Sequence, residues 1–128
     1  MKKSKCIPRS LLIKKLDSVF AFLVKFRDKK LYGGMCPFCG KPSECTFHFV
    51  TRSKHSVRWD MRNAVASCRG CNFRYEFDPH FAITWYMDRF GKDAYEKLIV
   101  DGNRIAKFSR IDLQAMYEKL KEGTSEGD

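Results

Sequence analysis

The chain has 128 residues and a formal net charge of +10, from 25 lysines and arginines against 15 acidic residues. This length fits one domain with a small core, and no apolar run reaches the roughly 18 residues that would indicate a membrane span, so we expect no membrane partner. The positive surplus favours a polyanionic partner such as nucleic acid. Lys14, Lys15 and Asp17 interrupt the apolar stretch after the N-terminus, so we predict a cytoplasmic protein without a signal peptide.

The N-terminal third predicts a basic arm followed by a helix. Residues 1–9 contain four cations and no acid, which is typical of a mobile segment that is either solvated or in contact with phosphates. Residues 10–30 predict a packing helix that begins at Ser10 and ends at Gly33. Its apolar face packs on the chain's own core or, alternatively, pairs with a second copy in a dimer. This face is formed by Leu12, Leu16, Val19, Leu23 and Phe26.

Two Cys-x-x-Cys pairs, separated by 28 residues, bracket the middle of the chain. In a reducing compartment such pairs favour a metal over disulfides. Four thiolates prefer Zn²⁺ and fill its tetrahedral shell, so we expect one structural zinc per chain. A zinc bound by four thiolates would lower the net charge to about +8. Cys6 and Cys45 stand outside the pairs. The predicted ligands are Cys36, Cys39, Cys68 and Cys71.

The segment between and just after the pairs predicts two strands and a helix. Residues 46–50 are aromatic and β-branched, and residues 62–67 give a second strand. A polar, basic loop over 52–61 joins them. Ser67 is the expected cap of a helix over about 68–76. The order is strand, loop, strand, helix, and the fold class is α+β.

The remainder of the chain predicts helices, giving a single domain over 1–128. Asp78 as N-cap and Pro79 at the first position begin a helix that ends at Gly91, and another covers about 92–100. A Ser109–Asp112 capping box opens the last helix. The predicted organisation is a basic arm 1–9, a packing helix 10–30, a zinc-bound core 36–76, a helical extension 78–122 and a disordered tail 123–128.

Three further residues complete a family pattern. His48 lies in the first predicted strand, Asn63 follows 15 residues later, and Asn72 stands directly after Cys71. Residues 36–76 thereby resemble the HNH endonucleases, also called ββα-metal or His-Me finger nucleases, and in particular small phage and bacterial members. The resemblance implies a ββα-metal core stapled by a four-cysteine zinc site and flanked by an N-terminal helix and C-terminal helices.

The resemblance also implies a role for each residue. His48 would be the general base that takes a proton from the attacking water, and imidazole suits this because its pKa lies near neutral pH. Asn63 would hold the hairpin that carries His48. Asn72 would be a ligand of a catalytic divalent ion, Mg²⁺ or Mn²⁺. Glu76, four residues later on the same helical face, is either a second ligand or a surface carboxylate.

The sequence departs from the common HNH pattern at two positions. Many members have an Asp or His just before the base, but this position is Phe47, which cannot bind a metal. The last letter of the pattern is Asn72 rather than a histidine. The sugar-non-specific nucleases of the superfamily also use asparagine there, with water filling most of the metal shell.

The stretch around these residues is basic and predicts contact with duplex DNA. Only Asp60 opposes its cations in sequence, and we expect contacts to phosphates that carry little sequence information. Trp59 either stacks on a base or is a buried anchor. His55 is a candidate for a phosphate contact, while His80 either caps and packs or binds a metal. The predicted DNA-binding residues are Arg52, Lys54, Arg58, Arg62, Arg69 and Arg74.

Two functions fit the sequence. The first is a metal-dependent DNA endonuclease, a monomer that nicks one strand with low sequence specificity. The second is a non-catalytic zinc-finger DNA-binding module of a recombination or packaging assembly, which Phe47 favours. His48, Asn63 and Asn72 together favour the nuclease, because a module that only binds DNA does not need them.

Overall fold

A computed structural model describes residues 7–126, in which the chain is mixed α and β. The segment contains six α-helices, one 3-10 turn and two strands. Most of the predicted basic arm, together with Cys6, lies outside it. In chain order the elements are α1 (Arg9–Tyr32), β1 (Cys45–His48), α2 (His55–Arg58), the 3-10 turn (Met61–Asn63), β2 (Ala64–Ser67), α3 (Arg69–Arg74), α4 (His80–Phe90), α5 (Lys92–Gly102) and α6 (Arg110–Glu126).

The two strands form a short antiparallel hairpin. Cys45 pairs with Ser67 at one end, and His48 pairs with Ala64 at the other. Both predicted strands were too long. The first ends at His48 rather than at residue 50, and the second begins at Ala64, after Asn63. Beyond the last paired residues, the Val50 N–H donates to a side chain instead of to a strand carbonyl. Its acceptor is the Oδ1 of Asn63, at 2.7 Å.

Helix α1 is present as predicted, but its buried face differs from the predicted stripe. The core takes every fourth residue, so the buried row follows a single i, i+4 ridge between the hairpin and α6. Val19, Leu23 and Phe26 are only half-buried. The helix begins after Pro8 rather than at Ser10, and Gly33 ends it with φ 66°. The buried row consists of Leu12, Leu16, Phe20, Val24 and Asp28.

The hairpin lies between two apolar clusters, which its alternating side chains connect. Ala64 and Ala66 face α1 and α6, whereas Val65 and Phe47 face α4 and α5. The first cluster contains Leu12, Leu16, Phe20, Val24, Trp59, Ala64, Ala66 and Leu113. The second contains Phe47, Phe49, Val57, Val65, Ala82, Tyr86 and Leu98. A residue's position along a strand therefore decides which helical layer it contacts.

The C-terminal helices confirm one cap and correct two expectations. Ser109 and Asp112 form the predicted capping box, with reciprocal bonds of 2.9 and 3.1 Å. Pro79, not Asp78, occupies the N-cap position of α4, and Asp78 pairs with Arg74 at 3.0 Å. Helix α6 continues to Glu126, so 123–126 are not the predicted disordered tail. The packing of α6 on α1 explains the extension, because Gly123 lies beside Leu23.

No helix within residues 7–126 is both long enough and apolar enough to cross a bilayer.

Candidate functional site

The four predicted cysteines come together in one cluster. Their Sγ atoms all lie within 4.8 Å of one another, and Cys39 and Cys68 are 3.5 Å apart. A tetrahedral ion with Zn–S bonds of about 2.3 Å requires sulfurs about 3.8 Å apart. The cluster therefore fits a metal ion such as zinc. All four places in the shell would be filled by protein, which is typical of a structural site.

Local backbone geometry presents the sulfurs to one point. The first pair lies on a tight turn in which Gly40, at φ 83°, donates its N–H to the Cys36 carbonyl at 2.9 Å. The second pair spans the start of α3, where Cys68 rather than the predicted Ser67 is the N-cap. The Cys68 Sγ accepts from the Cys71 N–H at 3.3 Å.

The thiols of the cluster differ in acidity. The Lys41 backbone N–H, with help from neighbouring thiols, lowers the pKa of exposed Cys39 to about 7. Burial raises the pKa of Cys36 and that of Cys71. A cation is what would keep all four sulfurs ionised at neutral pH. Cys45 is half-buried on β1 and is not part of the cluster.

His48 lies at the opposite end of the hairpin, on the side covered by α1. Its ring stacks on Phe20 at 5.7 Å between centroids, and its Nε2 lies 3.0 Å from the Arg58 carbonyl. A carbonyl oxygen only accepts, so Nε2 carries the proton. The Nδ1 lone pair has no hydrogen-bond partner within residues 7–126. This tautomer presents Nδ1 as the basic atom.

The surroundings of His48 keep the ring neutral. Burial lowers the pKa of His48, and the charges of Arg52 and Arg58 lower it further. The Arg58 carbonyl and Asp17 act in the opposite direction without overcoming these effects. At neutral pH the imidazole is therefore uncharged and able to accept a proton.

Asn63 is fully buried and ties together the loop that follows His48. Its Nδ2 donates to the carbonyls of Val50 and Val57 at 3.0 and 3.1 Å, and its Oδ1 accepts from the Val50 N–H. These hydrogen bonds hold backbone groups at the two ends of the loop. The resemblance assigns to Asn63 the role of holding the hairpin that carries His48, and that role stays a prediction. The effect of Asn63 on catalysis stays a prediction.

Asn72 is placed differently. It is half-buried on α3, and its side chain makes no hydrogen bond within residues 7–126. Helix α3 packs through Tyr75 on Phe47, on the face of the hairpin away from His48. Phe47 is fully buried there. The roles of Asn63 and Asn72 towards His48 therefore stay predictions.

Glu76 lies beyond the end of α3, which stops at Arg74. The predicted placement on one helical face with Asn72 is wrong, because the chain turns after the helix, with the Glu76 N–H donating to the Phe73 carbonyl at 3.2 Å. Three or more His, Cys, Asp or Glu side chains must lie close together to hold one metal ion. Among the residues that the structure describes, only the four cysteines form such a group. A catalytic ion would take most of its ligands from water and substrate.

The predicted DNA-binding cations are less free than their sequence neighbourhood indicates. Acidic residues from distant parts of the chain join Asp60. Asp17 binds two of the arginines, Asp101 binds Arg62, and Glu44 and Asp78 pair with two more. Lys54 is in no ion pair within the described segment and is exposed. The paired arginines are Arg52, Arg58, Arg62, Arg69 and Arg74.

The structure places the three remaining candidate residues, which are Trp59, His55 and His80. Trp59 is 7% exposed and its Nε1 donates to Asp17 at 2.8 Å, so it is the buried anchor. His55 packs on Trp59 with ring centroids 5.4 Å apart. His80 is exposed at the start of α4, 3.4 Å from the Thr84 hydroxyl.

A cavity of about 460 Å³ opens at the outer edge of β2. Its walls include Phe49, Tyr86 and Phe90, with Arg89 and Lys97 among its charged groups. Neither His48 nor Asn72 lines it. Sequence reasoning missed this cavity, because it forms between α1, β2, α4 and α5, which come from distant parts of the chain.

Sequence reasoning also missed two aspartates of α1. Asp28 is 2% exposed, binds Arg27 at 2.7 Å and accepts from the Ala66 N–H at 2.7 Å. Arg27 in turn donates to the Ala64 carbonyl at 2.6 Å. The pair covers the open edge of β2. An acid in an otherwise apolar i, i+4 row was the available signal for Asp28, and nothing comparable marks Asp17.

The chain was compared with protein-family models, with curated proteins and with solved structures, and none of the three comparisons gave a match.

Proposed function

We propose that this protein is a metal-dependent HNH-type endonuclease that hydrolyses DNA phosphodiester bonds, with His48 as its general base. The observation that carries the proposal is the state of His48. Its Nε2 is fixed on the Arg58 carbonyl, its Nδ1 has no partner among residues 7–126, and burial favours the neutral ring. A buried histidine held only for packing does not need a fixed tautomer with an open lone pair.

Asn63 supports the same function. By binding both ends of the 50–57 loop, it fixes the backbone that runs from His48 to Arg58. The distance between the imidazole and the carbonyl that orients it then does not depend on a mobile loop. General-base catalysis of this kind typically contributes about 10²–10⁴-fold to the rate.

The metals have separate tasks in the proposal. Zinc on the four cysteines would hold the β2–α3 junction to the Cys36 turn, and it takes no part in the reaction. A bound Mg²⁺ or Mn²⁺ would offset charge on the phosphate and on the leaving oxygen. Asn72 is the candidate ligand for that ion, with Glu76 as a further carboxylate. A cytoplasmic monomer that nicks duplex DNA is the expected form of the enzyme.

A non-catalytic zinc-finger DNA-binding module is the second candidate. Two observations favour it. Phe47, at the position of a common ligand, is buried, and Tyr75, at the end of α3, packs on Phe47 on the face of the hairpin opposite His48. On this alternative, the basic surface would bind DNA and no hydrolysis would follow.

Plasmid nicking decides between the two functions. The parent protein should convert supercoiled plasmid to the nicked form when Mn²⁺ or Mg²⁺ is added. His48→Ala should lower the rate about 10²–10⁴-fold while its zinc content and DNA affinity stay at the parent level. His80→Ala is the matched control, because His80 is exposed on α4, and it should cut at the parent rate. Equal rates for His48→Ala and the parent would leave the binding module as the function.

A further inference from the structure

Asp17 on α1 is the centre of a polar cluster beside His48. Its Oδ2 accepts from Arg52 at 2.9 Å and from Arg58 at 2.7 Å, while its Oδ1 accepts from Arg58 at 3.0 Å and from Trp59 at 2.8 Å. These donors come from 35 to 42 residues further along the chain. Burial opposes ionisation of Asp17, but the bonds from Arg58 and Trp59 outweigh it and lower the pKa of Asp17.

Arg58 connects this cluster to the histidine. Its side chain is only 13% exposed and binds Asp17 through two nitrogens. Its third nitrogen donates to the Arg52 carbonyl at 3.2 Å, and its own carbonyl accepts from His48. One residue thereby fixes both the imidazole and the backbone of Arg52.

Arg52 is the open member of the cluster. Its side chain is 58% exposed. Among the described residues, the guanidinium of Arg52 makes one hydrogen bond, from Nη2 to Asp17. A guanidinium has five N–H donors in a planar fork that suits phosphate oxygens. Two arginines share one carboxylate, so the cluster retains a positive charge. These features are those of a receptor for an anion.

We propose that Arg52 receives a backbone phosphate of DNA beside His48, and that Asp17, acting with Arg58, is the positioning residue that holds Arg52 there. This inference depends on DNA being the ligand, as in the proposed function, but it does not require cleavage. Asp17 would orient a cation for the substrate, even though an acidic residue near a DNA surface normally weakens binding.

The test is the salt dependence of equilibrium binding to duplex DNA, measured without added divalent ions so that no cleavage occurs. Each phosphate contact contributes about 0.9 to the slope of log K against log salt. Arg52→Gln should make the slope shallower by about one. Asp17→Asn should do the same, although it removes a negative charge. In the Arg52→Gln background, Asp17→Asn should change nothing further.

Two controls separate positioning from stability and from general charge. Lys92→Gln removes a cation that is 72% exposed on α5 and should keep the parent slope. Asp17→Glu keeps the carboxylate and should restore most of the slope. Zinc content and the thermal midpoint identify any variant that does not fold, and Arg52→Gln tests the phosphate contact even if Asp17→Asn unfolds.

The results that would overturn the inference are equally specific. A parent-like slope for Arg52→Gln would remove the phosphate contact. An unchanged or steeper slope for Asp17→Asn would mean that Asp17 only neutralises charge, and additive effects of the two changes would mean that they act independently. Absence of nicking by the parent would instead refute the nuclease proposal and leave these binding results standing.

Discussion

The cysteine cluster and the His48 site lie at opposite ends of one short hairpin, and they are assembled in different ways. At the end where Cys45 pairs with Ser67, the four cysteines come from one tight turn and from the start of α3. At the end where His48 pairs with Ala64, the contacts come from α1 and from a loop. The first site depends on short spacings in sequence and the second on long-range packing.

This difference shows how each end would respond to damage. A four-thiolate site without its cation leaves buried sulfurs that repel one another when ionised. The His48 end depends instead on hydrogen bonds made by Asp17 and Asn63. Substitutions at the two ends should therefore differ in how strongly they destabilise the protein.

Loss of one zinc ligand should have the largest effect. Apparent binding free energies of structural zinc in small peptides are about 10–16 kcal/mol at pH 7, so Cys68→Ser should bind well under one zinc per chain and lose much of its fold. Metal analysis and circular dichroism measure both. Cys45→Ser, outside the cluster, should keep one zinc. A stable, zinc-free Cys68→Ser protein would show that the cluster does not hold the fold together.

Asp28→Ala should be the most damaging change on the α1 side. It leaves the Ala66 N–H unpaired and removes the partner of Arg27. Breaking a buried ion pair costs about 3–5 kcal/mol. Because Arg27 is partly exposed, we expect the free energy of unfolding to fall by about 3 kcal/mol. Urea denaturation measures the loss. Asp88→Ala on exposed α4 surface should change stability by less than about 0.5 kcal/mol, and an equal effect from both would contradict the edge-covering role.

Asn63→Ala should have an intermediate effect that is concentrated in one loop. Three hydrogen bonds to Val50 and Val57 are lost, and at about 1 kcal/mol each they amount to roughly 2–3 kcal/mol. Hydrogen exchange should become faster across residues 50–57, while the end of the hairpin next to the cysteine cluster stays protected. Asn103→Ala, on an exposed residue after α5, is the control. Uniform loss of protection would mean that Asn63 stabilises the whole fold rather than the loop.

Arg74→Ala should have the smallest effect. Arg74 and Asp78 form a pair whose side chains are 55% and 51% exposed, and such pairs contribute about 0–1 kcal/mol. The free energy of unfolding should change by less than about 0.5 kcal/mol. A loss above about 2 kcal/mol would show that this surface carries structural weight that its exposure does not indicate.

The cysteine cluster could be predicted from sequence because the residue type and the spacing within each pair are local. The four cysteines, the β1–β2–α3 order and the Ser109–Asp112 cap all depend on residues a few positions apart. The surroundings of His48 could not be predicted in this way. Asp17 and Phe20 contact residues 28 or more positions away, and no local pattern specifies which acid will meet which arginine.

The same limit explains the errors in the predicted elements. Helix α3 stops at Arg74, and α6 continues to Glu126 because α1 lies beside it. The arginines predicted to bind DNA looked unopposed because Asp17 and Asp101 are far away in sequence. Net charge along a segment therefore overstates the free charge of the folded surface.

His48 is held as a neutral ring, with Nε2 protonated and with Nδ1 open to accept a proton. Nitrogen NMR of ¹⁵N-histidine-labelled protein over a pH titration tests it directly. We expect His48 in the Nε2–H tautomer at pH 7, with a pKa below the ordinary value of 6.5, so that protonation begins only at more acidic pH. A His48 ring that is protonated at pH 7, or that carries its proton on Nδ1, would contradict the account.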